Sequence, residues 1–598
     1  MKRLILFSLA VLAAWTLFAG PDHDARYLNL AIVYELHPDG SCDMTYEHQV
    51  RLDTYYAFNR ALGETFIVTN PDFQKLEILK AETTMANGRK VAAPPNAFNE
   101  VLPFAAHGFA DFAHLREMVI THTGLERGAL IDLKYRIHTR AGFLPVFSGR
   151  EALGRDFPVD KYTLEIVVPA GRQLSFAARG LEAQPEVKVS ESGAEKKYSF
   201  QFMGLKPAAR EPLSPPPGIP FIVFAAAGDW QQVLALKEDL GPLPAALAAL
   251  VEKLKTQYPS RPDLLAALQK TVASEMSHCG LGIEATGWRA RPLQNIFQSN
   301  YATRLEKALL LQAMFKQAGI EAGILGVADS GWFAANVPMP LQLGEFWLKV
   351  NDGPHALYLD PAREQHEFFP YVLAGRDAWN FSGQALEKLP LSGWEQNGVD
   401  ISGTVRIDDS GASGDLVVSV RGIFLRYNEA ATDSGRFLTG LLKKIFPVDK
   451  LEVRKVLALS RRELRVEAGF NGKWLREAGS GYFLADFCRL PGLTENMVIL
   501  ERRETPLALE APFKVSLQLD LRPGPGLDLE YSAPEVDVTN EAGYFSRKRV
   551  VQKDGAIGFS ETCGIIHSPL RPELYPRLRQ LLLPYFAPDY WLAFKKNK

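Results

Sequence analysis

The sequence predicts a β-rich protein of several domains: an N-terminal β-sandwich, a central α+β domain and a C-terminal β-sandwich-like domain. The chain has 598 residues, far more than one hydrophobic core usually contains. Strand-like alternation of apolar and polar residues fills its first and last thirds, whereas helical patterns are concentrated between them. We therefore predict a signal peptide at 1–19 and domains at 20–225, 226–385 and 386–598.

The first residues have the composition of a secretory signal peptide. Met1-Lys2-Arg3 precedes an apolar run at 4–18, and the small residues Ala19-Gly20 follow it. The run is short for a membrane span, no cysteine follows it to accept a lipid, and no later segment is long, uncharged and apolar. We therefore expect a periplasmic or secreted protein with no membrane span after signal removal.

Composition and cysteine spacing exclude several classes of partner and cofactor. A net charge of -2 argues against a nucleic-acid-binding protein, which normally carries a basic excess. The four cysteines are dispersed and none has metal-ligand spacing, so we predict neither a metal nor another cofactor. Cys488 and Cys563 share a predicted domain, and the sequence leaves open whether they form a disulfide.

The N-terminal region has the pattern of strands. Alternation is clearest at 30–34, 118–121 and 130–135, and the turn signals are Pro38-Asp39-Gly40 and Asn87-Gly88. This pattern predicts a sandwich of antiparallel sheets.

A proline-rich run at 206–220 follows, with six prolines. Consecutive prolines favour an extended polyproline conformation, so we interpret the run as a linker or a covering strap, although such runs can also be recognition motifs.

The remaining pattern separates a mixed middle from a β-rich end. Helical patterns at 243–258 and 262–276 precede strands at 346–350 and around Leu357. Strands return at 405–407 and 416–422, with a helical interruption at 430–446 and a last strand around Trp591.

A capping box marks the start of a central helix. Thr303 is followed three residues later by Glu306, so the helix should begin at Arg304 and end near Ala318. Its apolar residues are too many for one stripe, which predicts burial on most sides. A cation in the first turn is opposed by the helix dipole, so Arg304 should have an acidic partner.

The segment 300–322 resembles the sequence around the catalytic cysteine of the transglutaminase-like superfamily. Bacterial members typically read Gly-Asp-Cys at this helix start and close with Ala-Gly-Ile-x-Ala. Ala302, Thr303 and Arg304 stand in place of Gly-Asp-Cys. The rest of the pattern is kept by Lys307, Ala308, Leu309, Leu310, Ala318, Gly319, Ile320, Glu321 and Ala322. The resemblance implies a papain-like α+β scaffold whose nucleophile is absent.

The same resemblance identifies the other two triad positions. The family places its histidine at the start of a strand and its aspartate at the end of the next, often as Leu-Asp-Pro. Leu359-Asp360-Pro361 fits the aspartate, but Glu345 stands where the histidine is expected. We hypothesise that Arg304, Glu345 and Asp360 form a charge-paired cluster in the former catalytic cleft. The alternative is that the three side chains point to solvent independently.

The flanking regions also resemble parts of this exported bacterial architecture. Asp111, Arg116, Gly128 and Tyr135 fit the pattern of an uncharacterised β domain that precedes transglutaminase-like domains. The end of the chain resembles the C-terminal β domain of the same architecture. This resemblance implies architecture and not activity.

The leading functional hypothesis is a non-catalytic exported protein that binds a protein, peptide or glycan at the cell envelope. Aromatic residues near the cleft either line a groove or pack in the core: Trp332, Phe333, Phe346 and Trp347.

Two other hypotheses concern catalysis and metal binding. An active cysteine amidase, peptidase or transglutaminase would use Cys279 with His278, His355 or His366. However, 272–278 looks like a helix end, where neighbouring residues point in different directions, so a structural cysteine is favoured. A metal site from His355, Asp360 and His366 has no recognised ligand spacing, and solvated histidines explain these residues more simply.

Overall fold

The protein is described by a computed structural model. The described residues are 23–181, 185–207, 209–214, 220–226, 228–236, 239–328, 333–352, 355–364, 370–391, 393–408, 410–479, 481–485, 489–587 and 591–596. The predicted signal peptide at 1–19 lies outside them, as do Trp332, His366 and Cys488. The described chain is β-rich, with several sheets and several domains. None of its helices is long and apolar enough to cross a membrane.

The N-terminal region builds three sheets. Its strands are β1 (Ala25–Leu36), β2 (Cys42–Leu52), β3 (Glu64–Thr69), β4 (Gln74–Thr84), β5 (Lys90–Ala92), β6 (Phe98–Val101), β7 (Arg116–Thr121), β8 (Leu130–Thr139), β9 (Ser148–Ala152), β10 (Val159–Pro169), β11 (Leu174–Arg179), β12 (Val187–Ser192), β13 (Glu195–Leu205) and β14 (Phe221–Ala226). The largest sheet has the order β12-β13-β10-β1-β2-β8-β4-β5, and the smaller ones are β11-β14-β9 and β3-β7-β6. Leu164 of β10 and Phe224 of β14 lie in one buried cluster, so the eight-stranded sheet and the β14 sheet share a core.

The large sheet is mixed, and the prediction of purely antiparallel sheets is wrong. β1 pairs antiparallel with β2 but parallel with β10. Alternation of apolar and polar residues shows which face is buried, and a strand buries the same face in either direction. The turn signals are confirmed, since Gly40 and Gly88 have φ values of 85° and 83°.

The middle region combines helices with a five-stranded sheet. Its helices are α1 (Trp230–Leu234), α2 (Ala245–Gln257), α3 (Arg261–Ala273), α4 (Ile283–Thr286), α5 (Leu293–Ser299) and α6 (Arg304–Gln317). Its strands are β15 (Ser277–His278), β16 (Tyr301–Ala302), β17 (Ala322–Ala328), β18 (Leu343–Asp352), β19 (His355–Leu359), β20 (Asp377–Asn380) and β21 (Ala385–Lys388). The sheet order is β19-β18-β17-β20-β21, with antiparallel neighbours throughout. α6 packs against β17, β18, α2 and α3.

The expected helix end at 272–278 is wrong in its second half. α3 ends at Ala273, and Ser277 and His278 form β15, which pairs in parallel with β16. The chain is extended here because its main-chain groups pair with Tyr301 and Ala302, which precede α6. Such a partner lies more than twenty residues away and gives no local signal.

The C-terminal region repeats part of the N-terminal plan. Its strands are β22 (Gly398–Asp408), β23 (Gly411–Arg421), β24 (Lys450–Leu459), β25 (Glu463–Gly472), β26 (Arg476–Glu477), β27 (Tyr482–Ala485), β28 (Phe513–Pro523), β29 (Leu527–Ser532), β30 (Val536–Asn540), β31 (Gly543–Val551), β32 (Ile557–Ile565) and β33 (Leu592–Lys596). The sheet orders are β24-β25-β23-β22-β28-β32-β31-β30 and β26-β27-β33-β29. β22 pairs antiparallel with β23 and parallel with β28, just as β1 pairs with β2 and β10.

Three helices accompany these strands: α7 (Tyr427–Thr432), α8 (Ser434–Leu442) and α9 (Tyr575–Phe586). The helical interruption predicted at 430–446 is two helices. Asp433 separates them, and its Oδ1 accepts from the N–H of Arg436 at 2.9 Å, which caps α8.

The described part of the proline-rich run is a strap on the C-terminal region. Glu211 accepts from the N–H groups of Glu504 (2.8 Å) and Thr505 (3.0 Å). Arg503, whose side chain is fully buried, donates to the carbonyl of Pro212 at 2.7 Å and to Ser214 Oγ at 3.1 Å. The segment after β13 is therefore bound to a loop almost three hundred residues away.

Candidate functional site

The central helix α6 has the predicted start and end. It runs from Arg304 to Gln317, with Ala318 as its C-cap. The capping box is complete, because the N–H of Thr303 donates to Glu306 Oε2 at 2.9 Å and the N–H of Glu306 donates to Thr303 Oγ1 at 3.4 Å. Its buried residues are Leu305, Glu306, Lys307, Ala308, Leu310, Leu311, Met314 and Phe315. The predicted burial on most sides is confirmed.

Lys307 is a buried cation on the first turns of α6. Its Nζ donates to the carbonyls of Val272 (2.8 Å), Ala273 (3.3 Å) and Met276 (2.8 Å), at and just beyond the end of α3. Helix ends leave such carbonyls without intrahelical donors. Burial lowers the pKa of Lys307 to about 8, although the charge of Asp360 opposes that shift. Lys307 therefore joins α6 to α3.

Arg304 lies between two carboxylates. Glu345 is near the start of β18 and Asp360 directly follows β19, and these two positions are neighbours because β18 and β19 form an antiparallel hairpin. Arg304 Nη1 donates to Glu345 Oε2 at 3.0 Å, and its Nη2 lies 3.9 Å from Asp360 Oδ2. The structure thus brings the three residues together as an ion-paired cluster.

The two carboxylates of this cluster have different surroundings. Glu345 also accepts from Arg376 Nη1 at 2.8 Å and from Trp347 Nε1 at 3.0 Å. Burial raises the pKa of Glu345, but Arg376 and Arg304 outweigh it and the pKa is lowered. For Asp360 burial dominates and the pKa is raised, with Arg304 only partly opposing. Glu345 is therefore firmly ionised, whereas Asp360 is the more easily protonated of the two.

A pocket of about 240 Å³ opens beside the first turn of α6. Its lining includes the guanidinium side chains of Arg150, Arg289 and Arg304, and one carboxylate, that of Glu284. The N–H groups of Arg304 and Leu305 donate no hydrogen bond to any residue that the structure describes. A helix N-terminus with unused N–H groups beside several cations favours anions.

Cys279, the nucleophile of the alternative cysteine-enzyme hypothesis, does not line this pocket. Its side chain is 0% exposed. It belongs to a separate apolar cluster with Ala106, Phe112, Leu115, Leu281 and Tyr301. Burial raises the pKa of the Cys279 thiol, which is the opposite of what a nucleophilic thiolate requires.

The histidines proposed as partners of Cys279 are not all described. His278 lies on β15, where partial desolvation of its ring and the charges of Lys307 and Arg304 lower its pKa. His355 is the first residue of β19. His366 lies outside the described residues, so the geometry does not address the metal set of His355, Asp360 and His366.

The aromatic candidates divide between core and pocket. Phe333 packs on Trp230 with ring centroids 4.4 Å apart, and both are buried. Trp347 is buried in the cluster behind the sheet. Phe346 lines the pocket at its edge while remaining largely buried. Trp332 lies outside the described residues.

Sequence reasoning missed Arg291, which ties the N-terminal region to α6. Arg291 Nε and Nη2 donate to the two oxygens of Glu306 at 2.8 and 2.9 Å, and Nη1 contacts Asp111. Its guanidinium also lies 4.7 Å from the ring centroid of Tyr301. Glu306 was visible as a capping residue, but nothing in the sequence links it to Arg291 or to Asp111.

Comparison with known proteins identifies a domain of unknown function in the N-terminal region. Residues 38–209 match the family described as a Domain of Unknown Function with solved structure, DUF3857. This match confirms that the N-terminal β region resembles an uncharacterised domain. No curated protein matches the chain.

Two solved structures are similar to the chain to different degrees. A putative protease from Parabacteroides distasonis ATCC 8503 is 22% identical, with a TM-score of 0.74 over 96% of this chain and 99% of that one. At this identity the similarity shows the fold alone, and it extends through all three regions. A mutant of a two-domain M1 zinc metallopeptidase bound to L-tryptophan is 12% identical, with a TM-score of 0.19 over 42% of this chain and 54% of that one.

Proposed function

We propose that this protein is a non-catalytic, exported member of the transglutaminase-like architecture that binds a peptide or protein at the cell envelope. The observation that carries the proposal is the ion-paired Arg304, which stands at the first position of α6 between Glu345 and Asp360. In the resembling enzymes that position supplies the thiol. A guanidinium is always protonated in proteins and cannot replace a nucleophile.

The surroundings of Cys279 further support a non-catalytic role. Acyl transfer needs a thiolate that can reach the substrate and a base within hydrogen-bond reach. Cys279 is fully buried among apolar side chains and its pKa is raised. The cleft beside α6 thus keeps charged side chains, while the Cys279 thiol lies in a separate apolar cluster.

The chemistry of the pocket selects a carboxylate-bearing ligand. Arg150 and Arg289 outnumber the one lining carboxylate, Glu284, and Arg304 also lines the pocket while it is ion-paired with Glu345. The first two N–H groups of α6 add donors of the kind that bind carboxylates and phosphates. A peptide with a free C-terminus or an acidic side chain meets both features, and it is also the ligand class that a papain-like cleft accommodates by shape.

The test is binding of fluorescent peptides to the mature chain, measured by anisotropy. We expect an acidic peptide with a free C-terminus to bind more tightly than its neutral, amidated counterpart, and Arg304→Met to weaken that binding by about tenfold or more. Lys316→Met, at the exposed far end of α6, is the matched control and should not change it.

The same peptides distinguish binding from turnover. Cleavage or transamidation that disappears in Cys279→Ala would overturn the proposal and establish a cysteine enzyme. Equal affinity for acidic and neutral peptides would also reject it, because the charge of the pocket would then play no part in recognition.

A further inference from the structure

Two histidines and one aspartate meet at a corner of the N-terminal eight-stranded sheet. His37 follows β1 directly, Asp43 is the second residue of β2, and His138 is near the end of β8. Asp43 pairs directly with His138 across β2 and β8, so their side chains are on the same face of the sheet. The turn after β1 closes with the N–H of His37 donating to the carbonyl of Ser41 at 2.9 Å. This turn brings His37 back over Asp43.

The three side chains converge on one small volume. His37 Nε2 lies 3.1 Å from Asp43 Oδ2, and His138 Nδ1 lies 2.8 Å from Asp43 Oδ1. One ligand atom from each residue lies within 4.8 Å of the others. Two ligands of a tetrahedral ion at about 2.0 Å are roughly 3.3 Å apart, so small side-chain rotations from this hydrogen-bonded arrangement would let the three residues share one ion.

The site is accessible and its ligands can present lone pairs. The side chains of His37, Asp43 and His138 are 29, 19 and 43% exposed. The other ring nitrogens, His37 Nδ1 and His138 Nε2, have no hydrogen-bond partner among the described residues and can carry the ring proton. The nitrogens that face Asp43 are then free to coordinate.

We propose that His37, Asp43 and His138 bind a divalent transition-metal ion, with Zn²⁺ the best match to two imidazoles and a carboxylate. Such a set leaves at least one coordination position open. Strand register places Glu35 opposite Asp43 and the exposed Lys75 opposite His138, and the charge of Asp39 also interacts with His37. The bound ion would fasten the β1–β2 turn to β8. This metal site is separate from the cleft beside α6.

The ordinary alternative is an aspartate that accepts one hydrogen bond from each imidazole. Both arrangements use the same atoms, so only metal binding separates them. We would titrate the mature chain, purified without chelator, with Zn²⁺ by isothermal calorimetry. We expect one Zn²⁺ ion to bind per chain. Each of the substitutions His37→Ala, Asp43→Asn and His138→Ala should lower the affinity for Zn²⁺ at least about tenfold.

Matched controls and a spectroscopic readout keep the proposal falsifiable. His107→Ala and His114→Ala remove other histidines of the same region and should leave binding unchanged. Electron paramagnetic resonance of bound Cu²⁺ should show two nitrogen ligands in the parent chain and one after His138→Ala. Circular dichroism checks that each variant is folded. Absence of binding, or binding that survives all three ligand substitutions, overturns the site.

Discussion

At the scale of the residue, Arg304 determines the chemistry of its cleft. A guanidinium in the first turn of a helix is opposed by the helix dipole, by roughly 0.3–1 kcal/mol when exposed. Glu345 at 3.0 Å and Asp360 at 3.9 Å offset that cost. Arg376 and Arg363 contact the same carboxylates, so three cations face two anions. The cluster is thus a network of ion pairs in which each carboxylate contacts two guanidinium groups.

A second residue-scale feature is the buried pair of Arg547 and Glu561. Arg547 donates twice to Glu561 Oε1, at 2.9 and 2.6 Å, while Oε2 has no partner among the described residues. Burial raises the pKa of Glu561 from 4.5 to about 7, with Arg547 opposing the shift. The folded protein therefore binds a proton between these values that the unfolded chain has released.

This pKa predicts a pH dependence of stability. Because the folded state holds the extra proton, the contribution of Glu561 to the free energy of unfolding falls as pH rises from about 4.5 to about 7. Glu561→Gln removes that proton exchange. Thermal melting at several pH values should show the difference in melting temperature between wild type and variant changing across this window. A difference in melting temperature that stays constant across this pH range would contradict the raised pKa of Glu561.

At the scale of the element, Lys307 connects two helices. It donates to three carbonyls at the end of α3, and Lys307→Met leaves them buried without a donor. Each unsatisfied buried group costs about 1–3 kcal/mol, so we expect a loss of at least that size. Hydrogen exchange should accelerate at 270–276. The control is Lys316→Met, which lies exposed on the same helix and should have little effect.

The first position of α6 can also be tested as a former nucleophile position. The double variant Arg304→Cys, Glu345→His places a thiol at a helix N-terminus beside an imidazole, with Asp360 retained. Both neighbours lower a thiol pKa from its usual value of about 8.5. We expect alkylation by iodoacetamide at pH 6 to be about tenfold faster than in Lys316→Cys, at the opposite helix end, after subtracting the wild-type rate. Equal alkylation rates in the double variant and in Lys316→Cys would argue against position 304 being a former nucleophile position.

At the scale of the whole molecule, local patterns predict more than distant pairings. The α6 start was readable because a capping box occupies four consecutive residues, whereas Glu345 and Asp360 were located only through the resemblance to the triad positions of the transglutaminase-like superfamily. The parallel pairing of β1 with β10 was not readable, because alternation does not record direction. The contacts of Arg291 with Asp111 and of His138 with Asp43 join residues about one hundred or more positions apart. Local periodicity contains no information on such pairs.

Contacts between residues far apart in the sequence also join the three regions. Asp111 of the N-terminal region meets Arg291 beside α6, while the strap at 211–214 meets Arg503 of the C-terminal region. The N-terminal region thus contacts both others through charged groups. Arg503 is more deeply buried than Arg291. Its side chain is fully covered, and its guanidinium lies 5.4 Å from the ring centroid of Tyr575.

Arg503→Met should therefore release the strap. The substitution removes the donor to Pro212 and Ser214 and leaves Glu211 with the hydrogen bonds from the N–H groups of Glu504 and Thr505 and from Thr505 Oγ1. Trypsin should then cleave after Arg210 faster than in wild type, as followed by mass spectrometry of the fragments under native conditions. Arg502→Met changes the exposed neighbour and is the matched control. If both variants resist cleavage equally, the hydrogen bonds to Glu211 from Glu504 and Thr505 are sufficient, and the fully buried guanidinium does not anchor the strap.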